Sequence, residues 1–87
     1  MATSAEFRLV FTDRARRDIE QLDTLARKRI GKSICALESG PLAKSKKLIE
    51  SKLGTFRYRI GDYRVIFDLH GKDVVILRVG HRREIYR

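Results

Sequence analysis

Apolar residues recur at every third or fourth position between residues 15 and 37 of the 87-residue chain. A period near 3.6 indicates the buried stripe of an amphipathic helix. The stripe is longer than most globular helices, and Asp23 begins a second capping signal within it. We therefore predict one helix that ends at about Leu22 and a second over 25–38, stopped by Gly40-Pro41. The stripe comprises Ala15, Ile19, Leu22, Ala26, Ile30, Ile34 and Leu37.

β-forming residues precede and follow this helical stretch. Phe7–Phe11 predicts a short first strand, and Thr12 directly after it is a candidate helix N-cap. The segment 56–87 predicts three strands, joined by tight turns at 60–63 and 70–73. The expected fold class is α+β, with a small antiparallel-dominated twisted sheet of about four strands. Two N-terminal helices are expected on one face of the sheet, in the order β-α-α-β-β-β.

The first turn sets the register of the hairpin around it. A two-residue turn at Gly61-Asp62 pairs Ile60 with Tyr63, Arg59 with Arg64 and Arg57 with Ile66. Because side chains alternate with period two, three arginines emerge on one face, here called the arginine face: Arg57, Arg59 and Arg64. The other face is apolar and suits packing against the helices; it carries Phe56, Tyr58, Ile60, Tyr63, Val65 and Phe67.

The second turn, His70-Gly71-Lys72-Asp73, extends this register to the last strand. It pairs Asp68 with Val75, Ile66 with Leu77 and Arg64 with Val79. On that register His81 follows Val79 onto the arginine face, although Gly80 allows a bulge. Alternation does not define the directions of Arg82, Arg83 and Tyr86. The tail that holds them leaves the last strand beside Arg64.

Like charges directly opposite one another destabilise a sheet, so the pairing of Arg59 with Arg64 requires an explanation. Salt bridges from Asp62 and Asp68 are one explanation. A bound phosphate is the better fit, because guanidinium groups hold phosphate oxygens in bidentate hydrogen bonds. The pattern therefore favours a phosphate-binding surface.

The charge balance agrees with a polyanionic partner. The chain has a formal net charge of +9 and a pI near 10.3. Its length suits a single domain over 1–87, with 1–5 expected to be frayed. Lysines are concentrated just ahead of the predicted hairpin, in a stretch that is either a solvated loop or an electrostatic rim for the polyanion. The candidate substrate-binding lysines are Lys46, Lys47 and Lys52.

Several other functions lack the residues that they need. Cys35 is the only cysteine and is expected to be a buried core residue, with neither a disulfide nor a cysteine metal site. No His, Asp and Glu cluster has metal-ligand spacing, and we expect no metal and no cofactor. The chain also lacks a long apolar run and the pattern of a signal peptide, so a cytoplasmic location without membrane association is expected.

Arginines grouped with a histidine and a tyrosine are suited to metal-free cleavage of RNA. The ribose 2′-OH attacks the adjacent phosphorus, and arginines stabilise the charge that develops on the phosphate oxygens. Protons must also be moved, and His81 is able to do this near neutral pH. Tyr86 can donate a proton or stack on a base. From the residues alone, the function is a basic phosphate-binding domain with ribonuclease chemistry as one option.

The segments YRIGDYRVIFD and VVILRVGHRREIYR closely resemble the RelE branch of the RelE/ParE toxin superfamily, and the resemblance extends from Phe7 to Arg87. It implies an endoribonuclease toxin of a type II toxin–antitoxin pair that cuts messenger RNA, generally in the ribosomal A site. By position, Arg64 and Arg82 match the catalytic arginines of the family, and Tyr86 matches its active-site tyrosine.

The chain departs from the family pattern at Arg57 and Arg59, which stand where some members have lysines. Because arginine stays protonated in proteins, neither residue can act as the base. His81, beside the second catalytic arginine, becomes the leading candidate for that role.

The resemblance also implies partners. These are a cognate, acidic antitoxin in a heterodimer or heterotetramer, messenger RNA on the ribosome, and operator DNA that the complex binds through the antitoxin. Two alternatives remain. The ParE branch inhibits DNA gyrase and generally lacks the full set of Arg64, Arg82 and Tyr86, and a non-catalytic nucleic-acid-binding module needs only the charge.

Overall fold

The computed structural model of the chain describes residues 7–40, 45–47 and 56–85. In chain order the elements are β1 (Arg8–Phe11), α1 (Asp13–Glu20), α2 (Thr24–Cys35), β2 (Ser45–Lys47), β3 (Phe56–Ile60), β4 (Tyr63–His70), β5 (Asp73–His81) and α3 (Arg82–Ile85), with a 3₁₀ turn at Ala36–Glu38 after α2. The strands form one sheet in the order β1-β5-β4-β3-β2. β1 runs parallel to β5, and the other neighbours are antiparallel.

The predicted α+β class is confirmed, and the six predicted elements occur in the predicted order, with the short helix α3 added after the last strand. The sheet has a fifth strand, β2, in the stretch that the lysine pattern assigned to a loop or rim. Lysine has a low strand propensity, so β2 is not visible in the sequence; its backbone pairs with β3, with Lys46 opposite Arg57. The predicted frayed end over 1–5 lies outside the described residues.

The division of the helical stretch into two helices is also confirmed. The Thr12 hydroxyl accepts a hydrogen bond from the Ala15 backbone N–H at 3.1 Å, which caps α1. The Asp23 carboxylate accepts one from the Ala26 N–H at 2.7 Å, which caps α2. Each side chain takes up a backbone donor that has no partner within its helix.

The main core lies between the two helices and one face of the sheet. Ala15, Ile30, Ile34 and Leu37 supply the helical side, so the predicted stripe is confirmed. The strands supply Tyr58, Ile60, Val65, Phe67, Val74, Ile76 and Val79. Phe56 stacks on Phe67 across the β3–β4 pair, with ring centroids 5.4 Å apart.

The predicted burial of Cys35 is wrong. Ile34 and Leu37 occupy the core side of this stretch, and Cys35 is exposed on the outer side. Because the helical period is 3.6 residues, two buried positions three apart leave the residue after the first one facing outwards. None of the helices in the described part of the chain is long and apolar enough to cross a membrane.

The β3–β4 hairpin has the predicted register. Arg59 lies opposite Arg64, and the neighbouring pairs are Ile60 with Tyr63 and Arg57 with Ile66. Gly61 has φ +60°, a left-handed conformation that glycine adopts without steric cost. The arginine face therefore forms as the sequence predicts, on the side of the sheet away from the main core.

The β4–β5 register agrees with the prediction near the second turn and differs from it beyond a bulge. Asp68 pairs with Val75, but a β-bulge then shifts the ladder: Phe67 pairs with Ile76, whereas Ile66 pairs with Arg78. Leu77 is the extra residue. The predicted pairs of Ile66 with Leu77 and Arg64 with Val79 are therefore wrong, and the pairs that form are Val65 with Val79, Arg64 with Gly80 and Tyr63 with His81.

The two turn glycines and one helical glycine allow a test of this backbone geometry. Gly61→Ala and Gly71→Ala should each lower the free energy of unfolding by about 1–2 kcal/mol, because both positions have φ +60°. A Cβ at position 61 would also lie 2.9 Å from Arg29 Nη2, whereas position 71 is open. Any further loss at Gly61 in urea unfolding thus measures the Arg29 contact.

Gly31→Ala is the matched control for these two variants. Gly31 lies within α2, and nothing stands within 4 Å of its added Cβ. The substitution should raise the free energy of unfolding by up to about 1 kcal/mol, since alanine is the better helix former. Equal effects at positions 31 and 61 would contradict the left-handed turn.

Candidate functional site

The three arginines of the arginine face differ in how far they are exposed to solvent. Arg59 is exposed, Arg57 is half-buried, and Arg64 is only 6% exposed. Arg64 Nη1 donates to the carbonyl oxygens of Gly61 and Tyr63, each at 2.9 Å. The guanidinium is thus held over the β3–β4 turn. The sheet accommodates arginines at two opposed positions because the partial negative charges of these carbonyl oxygens offset part of the positive charge of Arg64.

Arg82, the first residue of α3, contacts the same turn. Its backbone N–H donates to the Asp62 carbonyl at 2.8 Å, directly after the last residue of β5. Its Nε lies 4.0 Å from Asp62 Oδ1, and both side chains are largely exposed, so this ion pair contributes little to stability. Two arginines that are 18 positions apart in the sequence are therefore bonded to neighbouring residues of one turn.

Arg29 of α2 is a further cation at this turn. Its Nη2 lies 2.9 Å from the place that a Gly61 Cβ would occupy, so glycine makes room for the guanidinium. Nothing in the sequence distinguishes Arg29 from the other basic residues of the helical stretch. No signal in the sequence indicates this contact, because it joins α2 to a turn 32 positions away.

His81 is not on the arginine face. The bulge at Leu77 pairs it with Tyr63, whose side chain packs against the main core, and the two rings meet edge to face at 5.8 Å. His81 Nδ1 accepts a hydrogen bond from the Arg83 backbone N–H at 3.2 Å. This bond requires a lone pair on Nδ1, which places the proton of a neutral ring on Nε2. His81 therefore caps the short helix α3.

α3 folds back toward the arginine side of the sheet. Ile85 is 1% exposed and lies outside the main core cluster, as does Ile66. A Cβ at Gly80 would lie 4.0 Å from Ile85 Cδ1, and Gly80 is the residue that pairs with Arg64. α3 is therefore packed next to Gly80, the residue opposite Arg64.

The remaining predicted site residues are Tyr86 and three lysines that precede β3 in the sequence. Tyr86 and Lys52 lie outside the described residues. Lys46 and Lys47 are described only as backbone positions of β2, which runs beside β3 and its arginines. Their roles stay predictions.

A cleft lies on the helix side of the sheet, away from the paired Arg59 and Arg64. It has a volume of ≈ 780 Å³ and extends from Asp18 of α1 and from Leu22, just after that helix, to His81 of β5 and Glu84 of α3. Asp18 is a second residue that the sequence pattern missed; it sits beside Ile19 of the apolar stripe. A smaller groove of ≈ 210 Å³ between β1 and the helices is almost wholly apolar, with Arg27 as its one charged residue.

The chemistry available at the turn is the binding of an anion. Guanidinium groups donate hydrogen bonds in a planar fork and remain charged, which suits phosphate oxygens. Among the described residues, no group of three His, Cys, Asp or Glu side chains is placed to hold a metal ion. The described site therefore combines arginine side chains with a histidine on the opposite face.

Comparison with known proteins gives the same fold and a family. The family model described as the ParE toxin of the type II toxin–antitoxin system, parDE, matches residues 9–86. The toxin RelG of Mycobacterium tuberculosis is 38% identical over 84 residues, which cover 88% of this chain and 92% of that protein.

Solved structures agree. The RelBE2 toxin–antitoxin complex from Mycobacterium tuberculosis contains a chain with 34% identity and a TM-score of 0.79, with 88% of this chain and 99% of that one covered. The chromosomal ParDE system of Pseudomonas aeruginosa matches with a TM-score of 0.73 at 16% identity, covering 90% and 98%, and shows the fold alone. The chain belongs to the ParE toxin family of type II toxin–antitoxin systems, within the RelE/ParE superfamily.

Proposed function

We propose that this type II toxin is an endoribonuclease that cuts messenger RNA in the ribosomal A site and so inhibits translation in the cytoplasm. No metal takes part in the proposed reaction. The ribose 2′-OH loses its proton and attacks the adjacent phosphorus, and the bond from phosphorus to the 5′-oxygen of the next nucleotide breaks. The products are a 2′,3′-cyclic phosphate and a 5′-oxygen that takes up a proton, and arginines of the β3–β4 turn stabilise the transition state.

One observation carries this proposal. Arg64 Nη1 is bonded to the Gly61 carbonyl, and the Arg82 N–H is bonded to the Asp62 carbonyl. The two arginines that match the family's catalytic pair therefore meet at consecutive residues of one turn. The carbonyl oxygens hold the Arg64 guanidinium, so this group needs little reorganisation when charge develops on a phosphate at the turn. Arg82 is held at the same turn through its backbone N–H, and its side chain stays exposed.

The two arginines differ in a way that suits different tasks. Arg82 is about half exposed and is free to approach a phosphate from solvent. Arg64 is 6% exposed, and a charge that is partly withdrawn from water interacts more strongly with an anion than a solvated one does. Arg64 thus supplies a preorganised charge, while Arg82 closes on the substrate.

Proton transfer is proposed to involve the Tyr86 hydroxyl, as the resemblance implies. His81 is the predicted base because it adjoins Arg82 and because Arg57 and Arg59 stay protonated. It was also expected on the arginine face, whereas the bulge pairs it with Tyr63 on the other face. We therefore propose that His81 supports the site through its bond to the Arg83 N–H, which holds the tail that follows Arg82.

The chain's charge is consistent with its partners. As a type II toxin it has a cognate antitoxin, and an acidic antitoxin would neutralise part of the +9 charge and exclude RNA from the same surface. Arg57, Arg59 and the lysines Lys46, Lys47 and Lys52 are proposed to contact RNA phosphates. The toxin and antitoxin are proposed to form a heterodimer or heterotetramer that binds operator DNA through the antitoxin.

Gyrase inhibition is the second candidate, and the match to the ParE family model favours it. The presence of Arg64, Arg82 and Tyr86 together favours RNA cleavage, because the resemblance assigns this set to the RelE branch. Induction in cells without the antitoxin separates the two. RNA cleavage yields messenger RNA 5′ ends within reading frames, whereas gyrase inhibition yields DNA damage with intact transcripts.

Substitution of either proposed catalytic arginine should slow cleavage strongly. Arg82→Ala should lower the single-turnover rate on ribosome-bound messenger RNA by about 10²–10³-fold, the scale seen when one transition-state donor is lost. Arg64→Lys should have an effect of similar size, because lysine keeps the charge but loses the planar fork. Arg64→Lys is preferred to alanine because Arg64 is buried.

Arg8→Ala is the control for charge alone. Arg8 lies on β1, three strands away from β3, and its guanidinium pairs with Asp73 at 3.0 Å. This variant should cleave at the wild-type rate. Unchanged cleavage in Arg82→Ala and Arg64→Lys would refute the proposed mechanism.

Arg59 should contribute to binding more than to chemistry. It is exposed on β3, so Arg59→Ala should weaken binding to single-stranded RNA and reduce the slope of log K against log salt by about 0.7, the value for one phosphate contact. The single-turnover rate at saturating RNA should change little. An equal loss of slope in Arg8→Ala would show that only net charge matters.

His81 variants distinguish a base from a helix cap. His81→Asn keeps a side-chain acceptor that can bond the Arg83 N–H, so it should cleave nearly as fast as the wild type. His81→Ala removes the acceptor and should be slower. If both variants lose activity equally and the pH dependence of the rate disappears, His81 is the base.

A further inference from the structure

The outer edge of β5 changes neighbours halfway along its length. β1 pairs with β5 only as far as Phe11 opposite Ile76, where the strand ends and α1 begins. Beyond Ile76 the backbone of β5 would lack a strand partner on this side. Backbone polar groups at such a point need other partners, because their burial without hydrogen bonds is costly.

Two side chains at α1 supply those partners. The Thr12 hydroxyl, which caps the helix, donates to the Leu77 carbonyl at 3.1 Å. Asp18 Oδ2 accepts hydrogen bonds from the Val79 backbone N–H at 3.0 Å and from Arg78 Nε at 2.8 Å. The contacts fall on the extra residue of the bulge and on the two residues that follow it.

Asp18 is well placed to hold this segment. Its side chain is 10% exposed, and that of Arg78 is 24% exposed, so solvent screens their ion pair only partly. Arg14 of the same helix adds a longer contact, with its Nε 3.6 Å from Asp18 Oδ1. One carboxylate oxygen therefore joins a helix to both the backbone and a side chain of the bulged strand.

The bulge decides where the end of β5 lies relative to the arginine face. With Leu77 as an extra residue, Arg64 is opposite Gly80, and Arg82 follows His81 to reach Asp62. Without it the ladder would slip by one residue, and each side chain beyond Leu77 would turn to the other face. The meeting of Arg64 and Arg82 at one turn depends on this register.

We propose that Asp18 is a positioning residue for the candidate site: by holding Arg78 and Val79 from α1, it sets the bulged register that brings Arg82 to the turn beside Arg64. The expected effect of Asp18 on RNA cleavage rests on the proposed function. The effect of Asp18 on the register of β5 can be measured without any substrate.

Asp18→Ala and Asp23→Ala form a matched pair for the test. Both remove an aspartate that accepts backbone hydrogen bonds, and both should reduce thermal stability. Asp23 caps α2 and has no bond to β5. In single-turnover cleavage of ribosome-bound messenger RNA, Asp18→Ala should be about 100-fold slower, the loss expected for a displacement of roughly 1 Å at a reacting group. Asp23→Ala should cleave like the wild type.

Asp18→Asn gives a graded result. Its amide oxygen can still accept from the Val79 N–H, but the charge that pairs with Arg78 is lost. Its rate should lie between those of the wild type and Asp18→Ala. A general loss of stability would instead rank the rates by melting temperature, with Asp23→Ala among the slow variants.

NMR on the full-length chain reads the register directly. In the wild type, cross-strand contacts should join Tyr63 to His81, and the Val79 amide should be protected from exchange. In Asp18→Ala the Val79 amide should lose protection and the Tyr63–His81 contact should weaken. If these signals and the cleavage rate both remain at wild-type values, the proposal is wrong.

The two proposals fail in different ways. If the wild-type chain does not cleave RNA, the proposed function fails, and the NMR comparison of Asp18→Ala with Asp23→Ala still decides whether Asp18 sets the register. If the wild type cleaves and Asp18→Ala keeps both its rate and its Tyr63–His81 contact, only the positioning role is refuted.

Discussion

The arrangement of this toxin depends on one extra residue in a strand. In a β-sheet the side-chain period is two, so a single inserted residue exchanges the faces of everything beyond it. Leu77 is that residue in β5. It moves His81 away from the arginines and onto the core side beside Tyr63, and it lets the backbone of Arg82 bond to the turn at Asp62. The hairpin before it is regular, and the geometry of the tail follows from the bulge.

A second constraint is the close placement of positive charges. Arg59 and Arg64 occupy opposed positions, and Arg29 and Arg82 approach the same turn. The sheet accommodates this in part because Arg64 turns toward the carbonyl oxygens of Gly61 and Tyr63. Carbonyl dipoles reduce the repulsion without cancelling the charge, so a strongly positive surface remains. Such a surface is electrostatically complementary to a polyanion, whether a phosphate backbone or an acidic protein segment.

The superfamily fold by itself does not define the target. The chain matches the ParE family model and also resembles a RelE-type structure, so the two activities differ in side chains and not in fold. Arg64 and Arg82 are brought together by hydrogen bonds to backbone atoms. The Arg64 guanidinium is held directly, whereas Arg82 is held through its backbone N–H and keeps an exposed side chain.

The sequence by itself determined the local structure and the first half of the site. The apolar stripe, the caps at Thr12 and Asp23 and the two tight turns predicted the helices and hairpins, because each depends on residues that are close in the chain. The arginine face also followed, since a two-residue turn leaves one register for β3 and β4. These contacts are short-range, and their rules are local.

Only the tertiary structure decided the exposure of Cys35, the pairing of β2, and the place of His81. The bulge in particular depends on Thr12 and Asp18, which lie about 60 positions before the residues that they hold. No alternation pattern records such a contact, because its hydrogen bonds form only after α1 packs against the edge of β5. The sequence therefore showed which arginines share a face. Packing of α1 against β5 determined that Arg82, and not His81, lies beside them at the end of β5.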